Sequence, residues 1–404
     1  MDLRERLARL DRLSRPAASD PASDPASGPA ADPSRTLTEA LGLREEATPG
    51  GTIWIRRDRR DLAQAAGPVG DLSGIVATEL PHDLAWSEML FLDTETTGLA
   101  GGTGTLAFLI GLAWWEPDGG LRVRQLFLAG PGREGPVLDE LARLASGFRV
   151  VVTYNGASFD LPLLRTRARM NRRHDPLGGL AGWDLLVAAR RLWRRRLPDC
   201  RQQTIEAAVC GYERGPGDID GALIPAAYQA YLTTGAAGAL PEVLRHNRRD
   251  MEGMARVALA IAAEARAITD EAPRAGDWRA VWSRALICER RRDVARAASW
   301  ARLLRDPVAQ GRADPAAARD AIRLLKRVAD WPAVRALVCA GLAHWPDDAH
   351  LHYEAAVLYE HRLRDYPRAM THARRLADAH RLARLEARLA RPAPPGCPPP
   401  PDAL

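Results

Sequence analysis

Two hydrophobic patterns follow one another along the chain. In its first part, short apolar runs are separated by turn residues, which predicts strands near 52–57, 89–92, 106–115, 123–128 and 150–154. Apolar residues at helical spacing predict helices near 134–145, 160–171, 184–196 and 240–265. Together these elements predict an α/β fold in which helices flank a mixed sheet.

From about residue 270 the pattern consists of Ala, Arg and Leu at helical spacing, and strand signals end. Five tryptophans are expected to anchor the packing of paired helices there: Trp278, Trp282, Trp300, Trp331 and Trp345. The stretch from His352 to Ala369 resembles a degenerate tetratricopeptide (TPR) helix pair, although its repeat period is irregular. The sequence therefore predicts an all-α domain. It is either TPR-like, with a groove for a protein partner, or an irregular bundle that serves as a structural cap.

These patterns predict four segments. Residues 1–47 are expected to be disordered apart from a short amphipathic helix near the start, because Ala-Ser-Asp-Pro repeats fill 16–35. The α/β domain is expected at 48–268 and the helical, TPR-like domain at 269–390. Residues 391–404 are expected to form a proline-rich disordered tail.

Two carboxylates, separated by one residue, follow the apolar run at 89–92. Asp93 and Glu95 lie in the sequence Asp-Thr-Glu-Thr-Thr-Gly, which ends in a turn at Gly98. Alternation along an extended chain places both side chains on one side, where they repel each other unless a divalent cation neutralises them. An acidic turn after a strand is the ordinary alternative for so short a motif. Further acidic residues are therefore needed to favour a metal site.

Two more acidic positions occur downstream. The strand at 150–154 opens into Asn-Gly-Ala-Ser-Phe-Asp, in which Asp160 starts a helix and is placed to face Asp93. Within the helix predicted at 240–265, His246 and Asp250 are four residues apart and therefore share one face. The chain thus offers four carboxylates and one imidazole for a single site.

Four carboxylates in this order and setting resemble the DEDD superfamily of 3′–5′ exonucleases, a branch of the ribonuclease H-like fold. The segment 93–98 resembles the first motif of the bacterial proofreading subunit, and 155–160 is similar to the second motif of family B DNA polymerases. The third motif contains His246 and Asp250. It departs from both subfamilies, because His246 stands before Asp250 at the spacing at which one of them has Tyr. With the glycine-rich stretch after the first motif and Trp-Asp-Leu-Leu at 183–186, the pattern resembles the bacterial YprB-type ribonuclease H-like family over roughly 85–265.

The chemistry expected of such a site is metal-assisted hydrolysis of a phosphodiester. Two cations ~3.5–4 Å apart activate water and shield the charge of the phosphate, and hard oxygen ligands select Mg²⁺ or Mn²⁺. Asp93 is expected to bridge both ions, with Glu95, Asp160 and Asp250 completing their ligand shells. His246 is the candidate general base, since an unperturbed imidazole has a pKa of ~6.5.

Six residues are candidates for substrate binding. They are Thr96, Gly102, Thr103, Asn155, Phe159 and Asn247. The glycine-rich stretch at 101–105 either presents backbone N–H groups to the terminal nucleotide or forms a tight turn. Phe159 either stacks on a base or packs behind the metal site, and packing is favoured. Asn247 takes the functional role if His246 is an ordinary polar residue of its helix.

The overall composition is compatible with this chemistry. The chain of 404 residues carries a formal net charge of +6, which suits a nucleic-acid partner. Its five cysteines are odd in number and lack metal-ligand spacing, which fits a reducing cytoplasm. No apolar run reaches ~18 residues and no signal-peptide core is found, so a cytoplasmic protein without a membrane partner is expected.

The leading functional hypothesis is a metal-dependent 3′–5′ exonuclease that acts on single-stranded ends of DNA or RNA. A structure-directed endonuclease of the same fold is the second enzymatic hypothesis. The third is a non-catalytic nucleic-acid-binding scaffold that acts through its helical domain. The presence of Asp93, Glu95, Asp160 and Asp250 together disfavours the scaffold, since a degenerate domain would be expected to lose at least one ligand.

Overall fold

The computed structural model describes residues 35–64, 67–98, 104–215 and 217–390. The chain divides into two compact units that meet in sequence at Thr269 and Asp270, and Arg191–Arg196 is grouped with the second unit. The short helix and the Ala-Ser-Asp-Pro repeats expected near the start, and the proline-rich tail at 391–404, lie outside the described residues.

A seven-stranded mixed sheet forms the centre of the first unit. Its strands are β1 (Arg44–Thr48), β2 (Gly51–Arg60), β3 (Met89–Thr96), β4 (Ala107–Trp115), β5 (Leu121–Phe127), β6 (Val150–Thr153) and β7 (Ala181–Asp184). Their order in the sheet is β1-β2-β5-β4-β3-β6-β7. β6 is parallel to both β3 and β7, and the other neighbours are antiparallel. β3 therefore lies in the interior of the sheet, between β4 and β6.

Among the described residues of the first unit, six α-helices follow β5. They are α1 (Glu134–Ala145), α2 (Asp160–Met170), α3 (Leu185–Trp193), α4 (Gln202–Cys210), α5 (Ile224–Thr234) and α6 (Leu240–Asp270). The residues of β4 and β6 are almost continuously buried, as expected for strands whose two faces are both covered. Phe108 of β4 stacks on Tyr228 of α5 with ring centroids 4.1 Å apart, which packs this helix against the sheet.

The predicted fold class, a mixed sheet with helices followed by an all-helical region, is confirmed. The expectation that disorder extends to residue 47 is wrong for its last part, where a helical turn at Thr36–Ala40 precedes β1. Leu37, Leu41 and Leu43 are buried and anchor this segment, and β1 pairs with β2. β1 was missed because its sequence, Arg-Glu-Glu-Ala-Thr, is that of a polar edge strand without an apolar run.

The second unit is all-helical in the part that the structure describes. Its helices are α7 (Trp278–Arg290), α8 (Val294–Arg302), α9 (Arg305–Ala309), α10 (Pro315–Arg327), α11 (Trp331–His344), α12 (Ala349–His361), α13 (Tyr366–Arg375) and α14 (Ala379–Leu389). The TPR-like interpretation and a protein partner for this unit stay predictions. Among the described residues, no helix is both long enough and apolar enough to cross a membrane.

Aspartate N-caps recur in the helical unit. A side-chain oxygen of the residue directly before seven helices accepts a hydrogen bond from a backbone N–H of the first turn: Asp277, Asp293, Asp314, Asp330, Asp348, Asp365 and Asp378. Four of these caps follow a non-glycine residue with a left-handed φ, namely Arg292 (62°), Ala329 (55°), Arg364 (54°) and Ala377 (52°). A left-handed residue followed by an aspartate thus ends one helix and starts the next within a short turn.

Candidate metal centre

Strand β3 carries the first two carboxylates beyond the point at which its parallel partner ends. β3 pairs with β6 only from Met89 to Phe91, whereas its antiparallel pairing with β4 continues to Thr96. Asp93 and Glu95 therefore lie past the end of the β6 ladder, with their side chains on the same side of the strand. The register shifts between Glu95 and Thr96, so the regular ladder with β4 ends at the site.

A buried pair of amides holds Asp93 from behind. Asn247 of α6 is fully buried and donates from Nδ2 to Asp93 Oδ2 at 2.9 Å. Its Oδ1 accepts from Gln125 Nε2 on β5 at 2.9 Å. The residue opposite Asp93 on β4 is Gly111, where a Cβ atom would lie 2.3 Å from Asn247 Oδ1. The expectation that Asn247 binds substrate is therefore wrong, because both ends of its amide are engaged inside the protein.

Asp160 is the first residue of α2 and faces β3. Its Oδ1 accepts hydrogen bonds from the hydroxyl of Thr94 and from the Thr94 backbone N–H, the latter at 3.1 Å. The loop before it is also fixed, because Asp184 at the end of β7 accepts from the backbone N–H of Asn155 at 2.8 Å. The same Asp184 oxygen accepts from the N–H of Leu186 at 3.0 Å and thereby caps α3.

The last carboxylate lies on α6 together with His246. His246 Nδ1 is 3.0 Å from Asp218 Oδ1, and its Nε2 is 3.3 Å from Asp250 Oδ2. The other oxygen of Asp250, Oδ1, accepts from an Nη of Arg214 at 2.6 Å. The side chains of His246 and Asp250 meet because residues four apart are neighbours on a helix face.

The four carboxylates come from three elements and form one electrostatic cluster. Burial, followed by the charges of Asp250, Glu95 and Asp160, raises the pKa of Asp93 well above its ordinary range. Burial raises the pKa of Glu95 to about 8, supported by the charges of Asp250 and Asp160 and opposed by that of His246. Burial is also the main cause that raises the pKa of Asp160 and of Asp250. A bound cation would offset the repulsion among these carboxylates and the cost of burying their charge.

His246 is held by anionic partners on both sides. Burial disfavours the charged ring, but the hydrogen bond to Asp218 and the charges of Asp250 and Glu95 outweigh this effect and raise the pKa of His246 to about 9. The same contact outweighs the burial of Asp218 and lowers the pKa of that carboxyl to about 2. These anionic partners favour the protonated imidazole. Its pKa thus differs from the unperturbed value on which the general-base interpretation depends.

The donor set fits a hard divalent cation. One ligand atom from each of Glu95, His246 and Asp250 lies within 4.8 Å of the other two. Asp93 and Asp160 belong to the same cluster through their effects on the pKa values of the neighbouring carboxyls. Carboxylate oxygens dominate this set, which suits Mg²⁺ or Mn²⁺ better than a soft metal. The identity of the ion stays a prediction.

Comparison with known proteins agrees with this arrangement. A family model described as RNase_H superfamily matches residues 90–261. This part of the chain is a ribonuclease H-like domain. Over 166 residues the chain is 35% identical to the uncharacterized protein YprB of Bacillus subtilis (strain 168), and the match covers 41% of this chain. The resemblance to the YprB-type family is thereby confirmed, although the chain spans only 40% of the length of that relative.

A cavity of about 480 Å³ lies beside Asp93 and Asp160 in the ribonuclease H-like domain. It is lined by three candidate substrate-binding residues, Thr96, Asn155 and Phe159. The side chain of Phe159 is 59% exposed, so the expectation that it packs behind the metal site is wrong. An exposed aromatic ring beside an acidic cluster is suited to stacking on a base. Gly102 and Thr103 lie outside the described residues.

Several residues that support the site were not found from the sequence. Thr94, Arg214, Glu206 and Asp218 all contact a candidate ligand or one of its partners. Glu206 does carry a signal, because a carboxylate within Ile-Glu-Ala-Ala-Val at 205–209 indicates a buried partner. Arg214 and Asp218 lie between helices, where spacing along the chain does not indicate which residues meet.

Proposed function

We propose that the protein is a metal-dependent 3′–5′ exonuclease that hydrolyses phosphodiester bonds at single-stranded ends of DNA or RNA. The observation that carries this proposal is the convergence of acidic side chains from β3, α2 and α6 in one electrostatic cluster beside a cavity. The ribonuclease H-like fold of the domain supports it, since that fold implies a nucleic-acid substrate.

Asp93, Glu95, Asp160 and Asp250 are the residues that would hold two Mg²⁺ or Mn²⁺ ions. The bound ions would neutralise the charge that develops on the phosphate and activate the attacking water. Three of the carboxylates have one oxygen oriented by a protein donor: Asn247 for Asp93, Thr94 for Asp160 and Arg214 for Asp250. Fixing one oxygen in each case would orient the carboxylate toward a cation, and in Asp250 the second oxygen also faces His246 Nε2 at 3.3 Å.

The cavity beside Asp93 and Asp160 would receive the terminal nucleotide. Its volume of about 480 Å³ lies within the range of ~300–1,000 Å³ that is typical of small-molecule sites. Phe159 would stack on the base, because base stacking tolerates any sequence. Thr96 and Asn155 would provide polar contacts to the sugar and phosphate. These roles position the scissile phosphate against the acidic cluster.

His246 would act as the proton acceptor for the attacking water. Two of the three anions that hold a proton on its ring, Glu95 and Asp250, are also proposed cation ligands. If bound cations neutralised Glu95 and Asp250, these carboxylates would no longer stabilise the imidazolium, and the ring pKa would fall toward the neutral range. Asp218 would keep the ring oriented through Nδ1.

The test uses the purified full chain with Mg²⁺ or Mn²⁺ and end-labelled single-stranded and double-stranded DNA and RNA. The expected result is stepwise shortening of linear strands from the 3′ end, no cleavage of circular single strands, and no activity in the Asp160→Asn variant. Cleavage of circular strands would establish the endonuclease instead. Binding of nucleic acid without any cleavage, together with no effect of millimolar Mn²⁺ on the melting temperature, would favour the scaffold.

A further inference from the structure

We infer that Arg214 is a positioning residue of the metal centre and that the buried carboxylate of Glu206 fixes it in place. This inference rests on the proposed function, because it assigns to Arg214 the orientation of a cation ligand, Asp250. Neither residue belongs to the four-carboxylate pattern from which the site was predicted. Both lie outside the helix that carries Asp250.

The guanidinium of Arg214 connects three carboxylates. Its Nε and one Nη donate to the two oxygens of Glu206 at 2.7 and 2.8 Å, which is a bidentate pair. The same Nη donates to Asp250 Oδ1 at 2.6 Å. The other Nη is 3.3 Å from Asp218 Oδ2. The side chains of Arg214 and Glu206 are only 7% and 0% exposed, so these contacts are shielded from water.

The carboxylate of Glu206 packs directly against the backbone of α6. A Cβ atom at Gly253, three residues after Asp250, would lie 1.7 Å from Glu206 Oε1, so this carboxylate requires a glycine there. Gln202 closes the arrangement, since its Nε2 donates both to Glu206 Oε1 at 2.8 Å and to the backbone carbonyl of Asp250 at 2.9 Å. The supporting group and the ligand are therefore fixed to the same turn of helix.

This arrangement fixes the orientation of the Asp250 carboxylate. Arg214 takes Oδ1, and Oδ2 is left on the side of His246, at 3.3 Å from its Nε2. Through Asp218 the same guanidinium also orients the imidazole, because Asp218 Oδ1 contacts His246 Nδ1. Lysine cannot replace Arg214 in this role, since a single ammonium does not reproduce a planar fork with several fixed donors.

The experiment measures Mn²⁺ binding to the full chain by titration calorimetry, with the melting temperature recorded in parallel. Arg214→Lys and Glu206→Gln are each expected to weaken Mn²⁺ binding about 10–100-fold, the usual effect of removing a partner that orients a metal ligand. The matched control is Arg167→Lys. Arg167 forms a buried bidentate pair with Glu134, and this pair does not contact Asp250. The control is expected to lower the melting temperature while leaving the Mn²⁺ affinity unchanged.

The outcomes separate this inference from the proposed function. If wild-type protein binds Mn²⁺ and cleaves nucleic acid while both variants bind it with wild-type affinity, Arg214 is merely structural and the inference is overturned alone. If wild-type protein neither binds Mn²⁺ nor cleaves, the inference falls together with the proposed function. Glu206→Gln is nearly isosteric, so it decides the question if Arg214→Lys does not fold.

Discussion

At the scale of single residues, three of the four carboxylates of the candidate centre are each held by a different kind of donor. Asp93 is held by the Asn247 side-chain amide, Asp160 by the backbone and hydroxyl of Thr94, and Asp250 by a guanidinium. Each donor fixes the position of one oxygen of its carboxylate. The acidic groups therefore keep their orientation even though burial and mutual repulsion disfavour their ionised forms.

Replacing Asp93 by Asn separates function from stability. We expect Asp93→Asn to abolish Mn²⁺-dependent cleavage, because it removes the ligand proposed to bridge both ions. In EDTA its melting temperature should equal or exceed that of wild type, since the charged form of Asp93 is disfavoured by burial and by Asp250 and Glu95. Unchanged turnover in a gel-based nuclease assay would falsify the assignment of Asp93 as a metal ligand.

The proton-transfer role of His246 predicts a change in the pH dependence of turnover. His246→Ala should lower turnover by ~10²–10⁴-fold at saturating Mn²⁺. Asp218→Asn should keep part of the activity but move the acidic inflection of the pH–rate profile to lower pH, because Asp218 stabilises the imidazolium. A profile that is the same in wild type and Asp218→Asn would show that the inflection belongs to another group.

The sequence predicts the acidic residues of the cluster better than the residues that hold them in place. Asp93, Glu95 and Asp160 were recognised because each stands in a local pattern at a strand end or helix start. The supports depend on contacts between distant positions: Asn247 is 154 residues from Asp93, and Arg214 is 36 residues from Asp250. No spacing rule connects such pairs, and the role of Asn247 was therefore misjudged.

At the scale of elements, the long and strongly patterned segments were predicted well. The helix expected at 134–145 is observed at Glu134–Ala145, and the helix expected near 240–265 is α6. β7 was missed because Ala-Gly-Trp-Asp is short and has no alternation, although pairing with β6 makes it a strand. Pairing partners in the sheet decide such short strands, and a single sequence does not reveal them.

The aspartate N-caps of the helical unit permit a stability test on one element. Asp293 accepts a hydrogen bond from the backbone N–H of Arg296 at 2.9 Å. Asp293→Ala should lower the free energy of unfolding of the helical unit by ~1 kcal/mol, measured by urea unfolding. The control is Asp306→Ala, whose side chain is 65% exposed and pairs with its neighbour Arg305. Equal losses in the two variants would contradict a capping role.

At the scale of the whole molecule, the two units are expected to respond to different solution conditions. The ribonuclease H-like unit should respond to divalent cations through its acidic cluster. The helical unit should respond to pH through two histidines, because His352 Nδ1 and His372 Nδ1 are 2.9 Å apart. His372 also stacks on Tyr359 of α12, with ring planes 2° apart.

Acid should therefore weaken the helical unit. Burial and the neighbouring His352 lower the pKa of His372 below its ordinary value of ~6.5. The unfolded chain then binds more protons than the folded one, so stability is present above pH ~6.5 and decreases as the pH falls through the lowered pKa. Hydrogen exchange of α12 and α13 should accelerate between pH 7.5 and 5.5 after correction for intrinsic rates. The His372→Gln variant should show a smaller change, and an equal change would assign the effect to other groups.

The close approach of the Asn247 side chain to Gly111 suggests a mutation that could test the function of the protein in cells. A single methyl group there would meet the end of the Asn247 side chain, which must turn away and release Asp93. Gly111→Ala alters no ligand and lies within a buried strand, so every surface open to a partner keeps its wild-type residues. In a living cell, this allele should behave as a separation-of-function mutant. Phenotypes shared with a deletion strain would report loss of the chemistry, whereas those seen only in the deletion would report lost partnerships. If purified Gly111→Ala protein binds Mn²⁺ with wild-type affinity, the substitution does not disturb the metal centre, and the allele cannot separate the two kinds of phenotype.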